Sequence, residues 1–150
     1  MRLGFDLDGI IIKNNLAILR LIDLIEDPEK RREVSKYYYK QQDILLDPLK
    51  FLLEEDELYI ITSRNRIYRE ETEALVKKYF PSAKLIILDH VEPHLLLDLK
   101  DWYKKQAELK AKVIKKEGIE VYFEDIPQVV RYLRNLCPNT KIICFGDHIE

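Results

Sequence analysis

The chain has 150 residues, of which 47% are hydrophobic and 35% charged, with a formal net charge of −2. That length suits one domain with a core of its own, and that composition excludes a disordered chain. Near-balanced charge gives no bulk attraction to nucleic acid or anionic membrane, and no apolar run approaches the roughly 20 residues that span a bilayer.

The first predicted strand is Arg2–Leu7. It runs into Asp6-Leu7-Asp8-Gly9, where two aspartates interrupt the apolar stretch too early for a secretory h-region. Two carboxylates two residues apart at the end of a buried strand point roughly the same way. Burying them together is unfavourable unless a cation or hydrogen bonds offset the repulsion. About fifty residues, 10–54, then precede the second strand, with helices expected near 14–26 and 29–43. A bare crossover needs far fewer, so the surplus predicts a small helical cap over the strand ends. Within it, Tyr37, Tyr38 and Tyr39 stand among Arg31, Arg32, Lys36 and Lys40. The plainer reading packs one or two tyrosines on the sheet and leaves the charges solvated; the functional one makes them a surface for base, sugar or anion. Asp47-Pro48 reads as an N-cap with Pro at N1, opening a helix with Leu49, Leu52 and Leu53 inward.

The second strand, Glu57–Thr62, ends in Ile60-Ile61-Thr62-Ser63-Arg64 and so brings hydroxyls to the same sheet edge. Arg64, Arg66 and Arg69 follow and read as a solvated face, or else as contacts to a substrate anion. The next helix carries Ile67, Ala74, Leu75 and Tyr79 on one face and stops at Phe80-Pro81. After the third strand, Lys84–Leu88, the loop Asp89–His94 holds His90 and His94 in no zinc spacing. The following helix bears Trp102 and Tyr103, read as core or interface contacts, then Lys110, Lys112 and the inward Leu109, Val113 and Ile114, and ends at Gly118.

The fourth strand, Glu120–Glu124, delivers Glu124 and Asp125, with Lys110 fifteen residues before Asp125. Pro127 opens a last helix burying Val129, Val130, Leu133, Leu136 and Cys137 ahead of the fifth strand, Lys141–Phe145. Asp147 reads as a terminal solvated acid. Cys137 and Cys144 fit no metal pattern and read as small buried hydrophobes in a reducing, cytoplasmic compartment. Alternating strands and helices predict an α/β fold: a doubly wound, parallel five-stranded sheet with a small helical cap after the first strand and the site beyond the strand ends. The hard oxygen ligands gathered there suit Mg²⁺ as a hard cation, with a lysine beside them.

Over nearly its whole length the chain resembles the haloacid dehalogenase (HAD) superfamily. Asp6-Leu7-Asp8-Gly9 is similar to its first motif, Ile60–Arg64 to its second, Lys110 to its third and Phe123-Glu124-Asp125 to its fourth. The resemblance implies a Rossmann-like phosphatase domain across 1–150. Asp6 would be the nucleophile and Asp8 the acid and base. Mg²⁺ would be held by Asp6, Asp125 and the Asp8 backbone carbonyl, and Thr62 and Lys110 would bind the phosphoryl group. Ser63 competes with Thr62, and Lys112 with Lys110, although on a helix those two lysines point about 200° apart. Whether Glu124 assists the metal stays open. The phrases Tyr59–Arg64 and Tyr122–Pro127 are most similar to the 5′(3′)-deoxyribonucleotidase-like branch, which implies a nucleoside monophosphate. A sugar phosphate, a macromolecular substrate and a non-hydrolytic phosphate-binding domain are the alternatives.

Overall fold

The computed structural model describes residues 1–40, 42–89 and 98–146. Five strands, β1 (Arg2–Asp6), β2 (Glu57–Thr62), β3 (Lys84–Ile87), β4 (Val121–Glu124) and β5 (Lys141–Cys144), form one parallel sheet in the order β3-β2-β1-β4-β5. The expected doubly wound α/β architecture is therefore present.

Alternation along the strands divides the apolar residues between two cores. Tyr59 and Ile61 of β2 join Tyr122 of β4 and Ile142 of β5 beneath helices α4 (Leu99–Glu117) and α5 (Pro127–Leu136). Leu58 and Ile60 join Leu3, Phe5 and Leu7 beneath α3 (Arg69–Tyr79). The Phe5 and Phe123 rings stack at 4.4 Å on neighbouring strands of that second face. Because β2 lies on one side of β1 and β4 on the other, the strand order reverses at β1. The crevice at such a switch point is where ligands bind in sheets of this kind. Asp6 ends β1 there.

The segment after β1 folds back at once. Gly9 N–H donates to Ile12 O (2.8 Å), Ile12 N–H donates to Leu7 O (2.9 Å), and Ile10, Ile11 and Ile12 are fully buried. Helices α1 (Leu16–Asp23) and α2 (Pro28–Lys40) follow, somewhat shorter than the sequence suggests. Asn15 caps α1 by accepting from Ile18 N–H.

Three expectations need correction. Asp47-Pro48 opens only a 3-10 turn, Pro48–Phe51, and Leu49 and Leu53 are exposed while Leu52 alone touches the core. Pro48 is the buried residue of that turn, so the leucine spacing does not form an inward helix face. Helix α3 starts at Arg69 after a separate 3-10 turn, Arg66–Tyr68, which takes Ile67 out of the helical register. Its buried stripe is Glu71, Thr72, Leu75 and Val76, while Ile67, Ala74 and Tyr79 are exposed. Cys137 is buried as expected, but Cys144 lies exposed on the edge strand β5.

Candidate active site

Four of the residues singled out in the sequence meet at the carboxyl edge of β1 and β4. Lys110 Nζ lies 2.5 Å from Glu124 Oε2 and 3.6 Å from Asp6 Oδ2, with all three side chains buried. Asp6 Oδ1 accepts from Leu7 N–H at 3.0 Å. Oxygens of Asp6, Glu124 and Asp125 all fall within 4.8 Å of one another. Gly9 (φ +83°) lets the first loop pass against Asp125, since a Cβ there would collide with that carboxylate.

One ammonium does not neutralise three carboxylates. Burial pushes Asp6 up to about 8, with Lys110 opposing and Glu124 and Asp8 adding to the rise. Burial likewise pushes Asp125 up to about 9, helped by Asp6 and Glu124. Burial works against the charge of Lys110, but Asp6 and Glu124 outweigh it and hold the ammonium above its ordinary range. The Asp125 Oδ1 atom is buried with no hydrogen-bond partner. Carboxylates whose charged forms are disfavoured by burial and by one another, and an unpartnered oxygen, are what a hard cation relieves, so this donor set fits Mg²⁺.

The geometry separates the candidates the sequence left open. Lys110 faces the cluster and Lys112 is exposed on the other side of α4. Both oxygens of Glu124 are engaged: Oε2 with Lys110, and Oε1 as acceptor from Asp125 N–H (3.2 Å) and Ile126 N–H (3.3 Å). It is the anchor of the lysine, and Asp125 keeps the freer oxygen. Thr62 is buried, its Oγ1 accepting from Arg64 N–H (3.2 Å), which leaves its own hydroxyl hydrogen to donate. Ser63, one residue past the end of β2, lines the cavity beside Asp6. Asp147, His90, Glu92 and His94 lie outside the described residues.

Asp8 is held differently. Arg64 Nε donates to its Oδ2 at 2.9 Å and Arg64 Nη2 to its Oδ1 at 2.8 Å, a two-point pair whose arginine side chain is 2% exposed. The same Nη2 donates to Gln42 Oε1, and the guanidinium sits over the Tyr39 ring at 4.6 Å. The solvated-face reading of the arginines therefore fails at Arg64, whose carboxylate partner and aromatic shelf come from elsewhere in the chain. It holds for Arg66 and Arg69, which pair at the surface with Asp89 and Glu73. Of the cap tyrosines, Tyr37 is exposed, Tyr38 is buried with its hydroxyl accepting from Asn15 N–H, and Tyr39 backs Arg64. Within the described residues none of the three lines the cavity beside Asp6.

That cavity, about 210 Å³, is lined by Asp6, Asp8, Lys110 and Asp125 together with Asn14, Ser63, Trp102, Gln106 and Ile126. Trp102 is thus a wall of the site rather than a core contact; Tyr103, edge-on to it at 5.4 Å, takes the core side. Gln106 is missing from the sequence reading. Its signal was the spacing of Trp102, Gln106 and Lys110 at intervals of four on one helix, which places all three on one face.

No family model and no curated protein matches the chain. Solved structures do. A chain of the Pnkp1/Rnl/Hen1 RNA repair complex superposes with a TM-score of 0.60 at 20% identity, covering 98% of this chain and 43% of its own. A second structure of the Pnkp1/Rnl/Hen1 complex gives 0.61 at 19%, with 98% and 47% covered. This chain spans less than half the length of those two. A HAD family enzyme from Bacteroides thetaiotaomicron, solved as a magnesium complex, gives 0.55 at 15% identity, with 99% and 94% covered. The fold is HAD-like.

Proposed function

We propose that the chain is a Mg²⁺-dependent phosphohydrolase that cleaves a phosphate monoester through an aspartyl-phosphate on Asp6. The observation that carries this reading is the buried cluster of Asp6, Lys110, Glu124 and Asp125 at the switch point, opening on a cavity that Asp8 also lines. A carboxylate cluster with a buried lysine has no purpose in the core, where it costs stability. Beside a cavity it can receive a phosphoryl group.

Asp6, Asp125 and the Asp8 backbone carbonyl would hold Mg²⁺, which when bound keeps the carboxylates ionised and offsets the charge of the phosphate. An Asp6 carboxylate oxygen attacks phosphorus as the bond to the leaving oxygen breaks, and that oxygen takes a proton from Asp8. Water then attacks the aspartyl-phosphate, gives its proton to Asp8 and releases phosphate with Asp6 regenerated. Lys110 and the hydroxyl of Thr62, or of Ser63, which lines the cavity, stabilise charge on the phosphoryl oxygens. Each Asp8 oxygen accepts one hydrogen bond from Arg64 and keeps a second lone pair for the proton, while the pair keeps the side chain oriented.

A nucleoside monophosphate is the first substrate to try, on the resemblance of Tyr59–Arg64 and Tyr122–Pro127. A phosphate on a macromolecular substrate stands beside it, in keeping with the likeness in fold to a chain of an RNA repair complex. The rival reading, a phosphate-binding domain without turnover, draws support from Asp8, both of whose oxygens Arg64 engages. Steady-state hydrolysis of p-nitrophenyl phosphate separates the two. The expected result is turnover with Mg²⁺, abolished by EDTA and by Asp6→Asn; full activity after exhaustive chelation contradicts the metal assignment, and no turnover under any metal favours the binder.

A further inference from the structure

Gln106 sits on α4 one turn before Lys110 and one turn after Trp102, so the same helix face carries the lysine of the cluster, an amide and an aromatic ring. It is 2% exposed, it lines the cavity, and its Oε1 has no hydrogen-bond partner. A buried amide oxygen without a partner is destabilising, and such a group is kept where something else uses it. Ala107 and Ala111, its neighbours on the helix, are ordinary core residues, so an apolar side chain could have filled position 106 on packing grounds.

We propose that Gln106 is a specificity-determining residue that hydrogen-bonds a hydroxyl on the leaving group, selecting phosphate esters of sugars or polyols over esters of plain hydrocarbon chains. The terminal torsion of glutamine is broad and roughly two-fold, so the side chain presents either its carbonyl or its amide to the cavity. A hydroxyl both donates and accepts, and satisfies either face. Trp102 supplies a flat apolar wall beside it, suited to the carbon side of a sugar. The cavity of about 210 Å³ is smaller than the roughly 300–1,000 Å³ that encloses a drug-sized ligand. It has room for a phosphoryl group and a sugar-sized fragment, and anything larger attached to that fragment stays outside. The inference rests on the phosphohydrolase reading for the position of the phosphate, and is tested so that the two fail separately.

Trp102 is the one tryptophan of the chain, so its fluorescence reports the site directly. Glycerol 1-phosphate and n-propyl phosphate share a carbon skeleton and differ in their hydroxyls. Each is titrated with Mg²⁺ into the non-turning-over Asp6→Asn protein and into Asp6→Asn carrying Gln106→Met, which keeps the side-chain length without the amide. The expected result is about tenfold tighter binding of glycerol 1-phosphate in the first protein, the scale of one good neutral hydrogen bond, and a ratio near one in the second. Gln106→Leu serves in the same way if Gln106→Met does not fold. Equal affinities in the first protein, no saturable response to either ester, or a preference that survives loss of the amide overturns the subsite. Hydrolysis of p-nitrophenyl phosphate by the unaltered protein decides the underlying reaction independently of that ratio.

Discussion

Arg64 grips Asp8 by both carboxylate oxygens and is itself fixed by Gln42 and by the face of Tyr39. A planar guanidinium holds a carboxylate at two points, which an ammonium cannot do. Arg64→Lys is therefore expected to lower turnover of an alkyl phosphate about tenfold, because Asp8 loses its orientation. The loss on p-nitrophenyl phosphate should be smaller, since that leaving group departs without a proton. Steady-state rates on the two substrates check this; equal losses would place Arg64 in support of the fold instead. A second pair of variants separates the acids of β4. Asp125→Asn should raise the Mg²⁺ concentration for half-activity more than Glu124→Gln does, because Glu124 spends its oxygens on Lys110 and two backbone amides. Glu124→Gln should instead raise KM, by loosening the lysine. The reverse ranking in a Mg²⁺ titration would exchange the roles of the two.

At the scale of elements, α4 links stability to the site. Asp98 caps its start by accepting from Asp101 N–H, and Gly118 ends it in the left-handed region at φ +66°. Arg2 Nη1 donates to Glu117 O at 2.9 Å, which satisfies one of the last carbonyls. Gly118→Ala should cost about 1–2 kcal/mol, the penalty for a side chain in that conformation. The check is a shift of the urea midpoint with unchanged slope and unchanged activity; an unshifted midpoint would mean the helix end relaxes freely. This element also marks what the sequence could and could not tell. Its terminator and inward residues were legible because periodicity and a terminal glycine report local geometry. The face shared by Trp102, Gln106 and Lys110 was legible as spacing, but the roles of Gln106 and Trp102 were not, because they depend on a cavity that exists only once β1, β4 and the segment after β1 converge. Arg64 was opaque for the same reason: its partner Asp8 lies 56 residues away in the chain.

Across the whole molecule, strand positions and their parallel pairing followed from apolar runs separated by amphipathic helices, since sheet burial on both faces leaves so strong a mark. The turn at Pro48–Phe51 escaped, because leucine spacing alone does not supply the packing partner a helix needs. The cluster at the switch point ties folding to pH and, on the proposed function, to metal. Without a cation, Asp6 and Asp125 hold protons up to about 8 and about 9. Both lie above the ordinary carboxylate range, so the folded chain binds more protons than the unfolded one between about pH 4 and pH 9. Stability of the metal-free protein should accordingly fall as pH rises through that window. Mg²⁺ must displace those protons, so it should raise Tm more at pH 9 than at pH 6. Thermal unfolding at the two pH values, with Mg²⁺ and with EDTA, measures this; an equal or larger shift at pH 6 would contradict a carboxylate site.

On the proposed mechanism, Asp6 takes the phosphoryl group and Asp8 moves the protons. Asp8→Asn keeps the nucleophile and the backbone carbonyl while removing the group that activates water, so the covalent intermediate should accumulate. Rapid quenching of Asp8→Asn with an aryl phosphate labelled at phosphorus, followed by peptide mapping, tests this most directly. Label is expected on the peptide carrying Asp6, and none in Asp6→Asn. Label on another residue, or normal turnover by Asp8→Asn with no labelled protein, would contradict it.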